Sequence, residues 1–207
     1  MREICVQARG TLEFPYPGGM AALCWSPAGE RGELTVSLHY DGAYGMGEKY
    51  NAVNQKGHTA VNEVEEKFCF QGEKTYCPAP FFWTNTGFGL YAATDERTSF
   101  RFGEKAVCAE LTVDCRVVLF SGMPGEIIRD YMDLFGPAKL PPKWAFGPWI
   151  SANHWDSQEK VERAVAQAEE HGFPVCALVA RRGAMRLPFM FSGAQGMFLS
   201  RMAARPG

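Results

Sequence analysis

The sequence predicts a β-rich fold, an antiparallel β-sandwich followed by one β-α-β unit. Three features carry that expectation. Apolar residues recur with period two over the first two-thirds of the 207-residue chain, Gly, Pro and Asn punctuate those runs, and the periodicity turns helical near Pro124. Residues 32–40 alternate, with Leu34, Val36, Leu38 and Tyr40 on one face of a half-buried strand. Residues 87–94 follow the turn signal Asn85-Thr86-Gly87, residues 98–102 alternate again, and residues 108–113 and 115–120 are short runs separated by Asp114. Short strands at this spacing suit an antiparallel sandwich.

A helix is expected over residues 125–135, with Ile127, Ile128, Tyr131, Leu134 and Phe135 on its apolar face and Gly136-Pro137 ending it. Proline then makes an extended linker of residues 137–143 and closes a first domain at residues 1–136. Residues 144–151 form an apolar run without alternation, as in a strand covered on both faces. Asp156 is a candidate N-cap, and Glu159 completes a capping box for a helix over residues 157–171. That helix turns Val161, Ala164, Val165 and Ala168 inward, and Gly172 supplies a left-handed residue after it. A second buried strand is expected over residues 174–180, so residues 144–180 make one right-handed β-α-β unit with parallel strands. Such a unit cannot cover its own edges.

Composition narrows the function classes. With 46% hydrophobic residues the chain can bury a substantial core, and a formal charge of −2 suggests neither nucleic acid nor an anionic membrane as partner. Seven cysteines without a CxxC pair read as buried free thiols in a reducing, cytoplasmic setting, not as a zinc site. The charged start lacks the apolar core of a secretory signal, and no apolar run approaches membrane-spanning length. His39, His58, His154 and His171 are scattered, so neither a metal nor a cofactor is expected. The tail, residues 181–207, has four methionines, five arginines and no acidic residue. It has no clear strand or helix period and reads as aberrant.

Four motifs in order resemble glycoside hydrolase family 31, the α-glucosidase and α-xylosidase group. They are Gly45-Met-Gly-Glu-Lys-Tyr-Asn51, Gln71-Gly-Glu-Lys-Thr-Tyr-Cys-Pro-Ala-Pro-Phe-Phe-Trp83, Thr84-Asn-Thr-Gly-Phe-Gly-Leu-Tyr91 and Leu140-Pro-Pro-Lys-Trp-Ala-Phe-Gly-Pro-Trp-Ile-Ser151. The resemblance implies a galactose-mutarotase-like sandwich, with residues 144–180 opening a (β/α)8 catalytic barrel. It also implies retaining cleavage of α-linked sugars by two carboxylates about 5 Å apart, mounted on barrel strands later than the second. No catalytic residue is therefore expected in this chain, which reads as the amino-terminal, inactive part of such an enzyme.

The resemblance places Glu48 near the mouth of the sugar pocket and Asn62 where a loop reaches toward it. Ser151, Asn153, His154 and Trp155 follow the first barrel strand at the catalytic face, where Trp149 or Trp155 can stack on a pyranose. Structural roles compete at each position: Glu48 can tie down a tight glycine turn, and either tryptophan can be core. Glu63, Glu65 and Glu66 read as a solvated face. A non-catalytic carbohydrate-binding or interaction module is the alternative function.

Overall fold

The computed structural model describes residues 1–65, 71–137, 139–151, 155 and 157–179. The chain divides into two compact units, Met1–Ala138 and Lys139–Gly207. In the first unit the strands are β1 (Arg2–Val6), β2 (Gly10–Tyr16), β3 (Gly19–Ala28), β4 (Arg31–Ser37), β5 (Ala43–Gly47), β6 (Thr59–Asn62), β7 (Pro78–Thr84), β8 (Phe88–Ala93), β9 (Thr98–Phe102), β10 (Ala106–Thr112) and β11 (Cys115–Ser121). They form two antiparallel sheets, ordered β1-β11-β8-β7-β5 and β2-β3-β4-β10-β9-β6. The expected antiparallel sandwich is the observed one.

Alternation decides which side chains fill the space between the sheets. Leu34, Val36, Phe100, Phe102, Val107 and Ala109 come from one sheet, and Phe82, Phe88, Leu90, Val117 and Leu119 from the other. The ring of Phe82 lies 5.2 Å from Phe102, 6.0 Å from Phe100 and 6.1 Å from Phe88. Leu38 and Tyr40 continue the buried face of β4 beyond its last paired residue, as their spacing predicts.

A second, smaller core lies on the other face of the five-stranded sheet. Helix α1 (Pro124–Asp133) covers it, packing Ile127 and Tyr131 on Phe81, Val118 and Phe120. The Phe81 and Tyr131 rings stack with centroids 3.8 Å apart. Glu126 accepts from the amide of Met123 at 2.7 Å, satisfying a free donor at the helix start. The expected apolar face is narrower than its sequence suggests. Ile127 is buried and Tyr131 half-buried, but Ile128, Leu134 and Phe135 are exposed, because only the sheet side of α1 meets packing atoms.

The second unit differs more from expectation. Residues 143–146 wind into a 3-10 turn after Pro142, and Pro148 has no N–H for a ladder, so the strand shrinks to β12 (Trp149–Ser151). Trp149 and Phe146 are exposed, not covered on both faces. β12 pairs in parallel with β13 (Ala177–Val179), and α2 (Gln158–Glu170) lies between them in sequence. Val161, Ala164, Val165 and Ala168 are the half-buried residues of α2, as the periodicity predicts. Ser157 caps it, its side chain accepting from Lys160 N–H at 3.4 Å; Asp156, the expected cap, lies outside the described residues. Gly172 at φ +66°, with Gly172 N–H to Glu169 O and Phe173 N–H to Ala168 O, closes the helix in a Schellman motif. Ala180 and the tail of residues 181–207 also lie outside the described residues.

The cysteine reading needs correction. All six described cysteines are free, but only Cys115 is buried; Cys5, Cys24, Cys77 and Cys176 are exposed and Cys108 is intermediate. In β1 and β3, Cys5 and Cys24 occupy outward positions of the pleat, which an apolar neighbourhood in sequence does not reveal. Cys69 lies outside the described residues.

Phe82→Ala should lower the unfolding free energy by about 3–5 kcal/mol, because three rings lose their shared partner. Phe135→Ala, at 62% exposure with only edge contacts to Tyr91 and Tyr131, should lower it by about 1 kcal/mol. Denaturant titrations of the full chain check both.

Candidate functional site

Three consecutive residues at the end of β5 have left-handed backbones: Gly45 at φ +114°, Met46 at +70° and Gly47 at +81°. A Cβ on Gly47 would sit 2.1 Å from the Cys77 carbonyl oxygen, so only glycine lets the two chains approach. Met46 is the costly member, a non-glycine residue in a region disfavoured by about 1–3 kcal/mol. Its fully buried side chain holds it there.

The turn carries Glu48 outward. The Glu48 amide donates to Cys77 O at 3.0 Å, and its carbonyl accepts from the Thr75 hydroxyl. The carboxylate remains exposed and accepts from the Tyr50 hydroxyl at 3.4 Å. Tyr50 and Tyr76 are 58% and 57% exposed, unusual for aromatic rings with nothing beneath them in a strand pattern. Desolvation, then the charges of Glu48, Cys77 and Tyr76, raise the Tyr50 phenol above its ordinary range, as expected for groups gathered in one place.

Lys49 turns the other way. Its amine donates to Val61 O at 2.7 Å and Glu73 O at 3.1 Å. Burial pushes it down to about 8, against the opposing carboxylate of Glu73. Asn62 is 6% exposed, with Nδ2 donating to the Thr98 hydroxyl at 3.0 Å. Its Oδ1 is buried and has no hydrogen-bond partner among the described residues. Glu63 is partly solvated and ion-paired: Lys74 and Arg97 each bind its carboxylate at 3.1 Å, and the Lys74 hydrogen bond leads in lowering its pKa. Glu65 donates its amide to Thr75 O at 3.1 Å, and Glu66 lies outside the described residues.

In the second unit Trp149 is 45% exposed, stacks on Trp144 at 6.0 Å and donates its indole N–H to Ala145 O at 3.2 Å. Ser151 is exposed and Trp155 is 6% exposed. Asn153 and His154 lie outside the described residues. Among the described residues no cluster of His, Cys, Asp and Glu is arranged to hold a metal ion, and no helix is long and apolar enough to cross a membrane.

No family model matches the chain. Among curated proteins it is 28% identical over 146 residues to an isomaltosyltransferase of Sporosarcina globispora, covering 66% of this chain and 13% of that protein. It is 28% identical over 172 residues to a 1,3-alpha-isomaltosidase of Kribbella flavida, covering 78% of this chain and 24% of that protein. In fold it matches the Flavobacterium johnsoniae GH31 dextranase complexed with isomaltotriose, with a TM-score of 0.67 at 18% identity over 76% of this chain and 22% of that one. In sequence and fold the chain is similar to members of glycoside hydrolase family 31. It spans about a quarter or less of the length of these relatives.

Glu48 and Asn62 share the first unit and meet through Lys49, which bonds the residue preceding Asn62. Trp149, Ser151 and Trp155 belong to the second unit. Lys49, Tyr50 and Tyr76 escaped the sequence reading. The available signal was two tyrosines in polar, glycine-rich stretches where no alternation offers them a core. A shallow hollow of about 400 Å³ lies elsewhere, on the outer face of β4, β9 and β10. Its charges satisfy one another, Arg31 with Glu110 at 2.8 Å and Arg101 with Glu33 at 3.7 Å.

The Lys49 amine gives a pH signature. Between about 8 and the ordinary 10.5, the unfolded chain holds a proton that the folded chain has released. Its contribution to stability therefore rises with pH across that window and is lost as pH falls through about 8. Tyr40, pushed up to about 12 chiefly by burial, acts oppositely above its ordinary 10.0. The stability of wild type minus that of Lys49→Met should grow between pH 8 and pH 10 in parallel denaturant titrations. A pH-independent difference would contradict the assignment.

Proposed function

We propose that this chain is the amino-terminal portion of a retaining glycosidase acting on α-linked glucosides or related sugars, and that it does not cleave them by itself. The observation that carries the reading is the 28% identity to an isomaltosidase over 172 residues. The two-sheet fold, shared with the dextranase, supports it. On this reading β12, α2 and β13 are the first β-α-β of a (β/α)8 catalytic barrel, and the two carboxylates that cleave the acetal belong to later strands. Residues 181–207 then stand where further barrel sequence is expected, and a reading-frame change upstream of them accounts for their acid-free composition.

Glu48 and Asn62 are the candidate sugar-binding residues of the sandwich, and Trp149, Ser151, Asn153, His154 and Trp155 are separately those that the sequence offers in the second unit. Exposed Tyr50 and Tyr76 beside the Glu48 carboxylate favour a saccharide as the partner, since aromatic faces and a planar acceptor suit the two sides of a pyranose. The same observation favours a second reading, a module that binds α-linked saccharides without cleaving them. Free thiols at all six described cysteines support a cytoplasmic setting.

Aryl α-glucosides, aryl α-xylosides and isomaltose incubated with the purified chain should release no product. Turnover by the chain alone would overturn the assignment of the catalytic carboxylates to later strands. Calorimetric titration with isomaltose separates the readings: binding without turnover supports a saccharide site in this portion.

A further inference from the structure

A lysine amine can donate to three acceptors at once, and desolvation makes it costly to leave there unless it does so. Lys49 sends two donors to main-chain carbonyls of two other segments, Val61 in β6 and Glu73 in the stretch before β7. Those segments meet each other through Val61 N–H to Glu73 O at 3.0 Å. The turn that carries Lys49 meets the second through Glu48 N–H to Cys77 O at 3.0 Å and through the Thr75 hydroxyl. One amine thus stands where three segments join. Each segment bears residues of the saccharide site: Glu48 and Tyr50 on the turn, Asn62 on β6, Tyr76 on the stretch before β7.

We propose that Lys49 is a positioning residue, which touches no sugar and holds these three segments in the one arrangement that lets Glu48, Tyr50 and Tyr76 face a saccharide together. The proposal rests on the saccharide reading above for its function, but not for its geometry. Side chains that serve only the local turn are Asn51 and Gln55, which bond each other and the Ala52 carbonyl. Lys49 alone of the turn's side chains reaches both other segments among the described residues.

Charge gives the brace a recognisable response. Glu73 faces the amine and favours its proton. The other acids nearby are engaged elsewhere, Glu63 with Lys74 and Arg97 and Glu48 with Tyr50. Desolvation outweighs Glu73, so the closed arrangement, though braced by the charged amine, accommodates the neutral amine better and tightens as the proton leaves. The three segments should therefore hold together more firmly in mild alkali. Arginine at this position keeps the donors but never loses its charge, and removes that response.

Amide exchange in the full chain reads both junctions, at Glu48 and at Val61. At about pH 7, Lys49→Met should speed exchange at both amides by about tenfold, and Lys49→Arg should restore most of the protection. Wild-type protection, corrected for intrinsic exchange, should rise severalfold from about pH 7 to about pH 9, while that of Lys49→Arg stays level. Unchanged exchange in Lys49→Met, or acceleration at Glu48 with Val61 unaffected, overturns the proposal. Should Lys49→Met fail to fold, the comparison of wild type with Lys49→Arg decides: a wild-type profile as level as the arginine variant's overturns it. Isomaltose titration is the separate arm. Weaker binding by Lys49→Met, restored by Lys49→Arg, supports the positioning role. No binding by wild type, with the exchange effects present, removes the saccharide reading while the brace stands.

Discussion

The apolar layer shared by the two sheets is the constraint on which everything else depends. Phe82 sits in it with Phe88, Phe100 and Phe102, and the strands that supply these rings are the strands from which the candidate site is hung. β7 follows the stretch with Tyr76, β5 ends in the strained turn, and β6 is the edge strand with Asn62. A slip of one residue in β7 would exchange Phe82 for Trp83 or Phe81 and move the Cys77 carbonyl away from Gly47. The register of the core thus fixes the geometry of the turn. Burial of Met46 compensates its unfavourable backbone, so the same layer also stabilises the presentation of Glu48.

Sequence alone made part of this fold legible, and the reasons differ by strand. β4, β9 and β10 alternate cleanly because one face is core and the other solvent, whereas β8 and β11 read as short apolar runs because the helix-covered core takes up their second face. β1 is too short and mixed to show a period, and Pro15 and the Pro78/Pro80 pair break the patterns of β2 and β7. Residues 144–151 are apolar enough to suggest a strand twice as long, but hydrophobicity does not supply the N–H that Pro148 lacks. The broad apolar face assigned to α1 failed for a related reason. Periodicity reports which residues share a side of the helix, not how wide a surface awaits them.

For the candidate site, motifs pointed to Glu48 and Asn62, and geometry redistributed the roles. Asn62 lies inside the sandwich edge and bonds Thr98, whereas Glu48 has its backbone tied and its carboxylate exposed beside the Tyr50 hydroxyl. The residue between the turn and β6 in the bonding network is Lys49, whose part no motif conveys, because its acceptors are carbonyls and carbonyls have no sequence signature. The similarity to family 31 enzymes is spread over most of the chain, and it says nothing about which of these side chains meets a ligand.

The outermost strands have a consequence for behaviour in concentrated solution. β2 borders the six-stranded sheet, and Pro15 within it offers no N–H to an arriving strand. β6, at the opposite border, is four residues long, and β1 opens with the paired charges Arg2-Glu3. These three borders are poor templates for stacking one copy on the next. Among the described residues the short parallel pair β12–β13 has neither proline nor charge within its strands, which makes it the more adhesive edge.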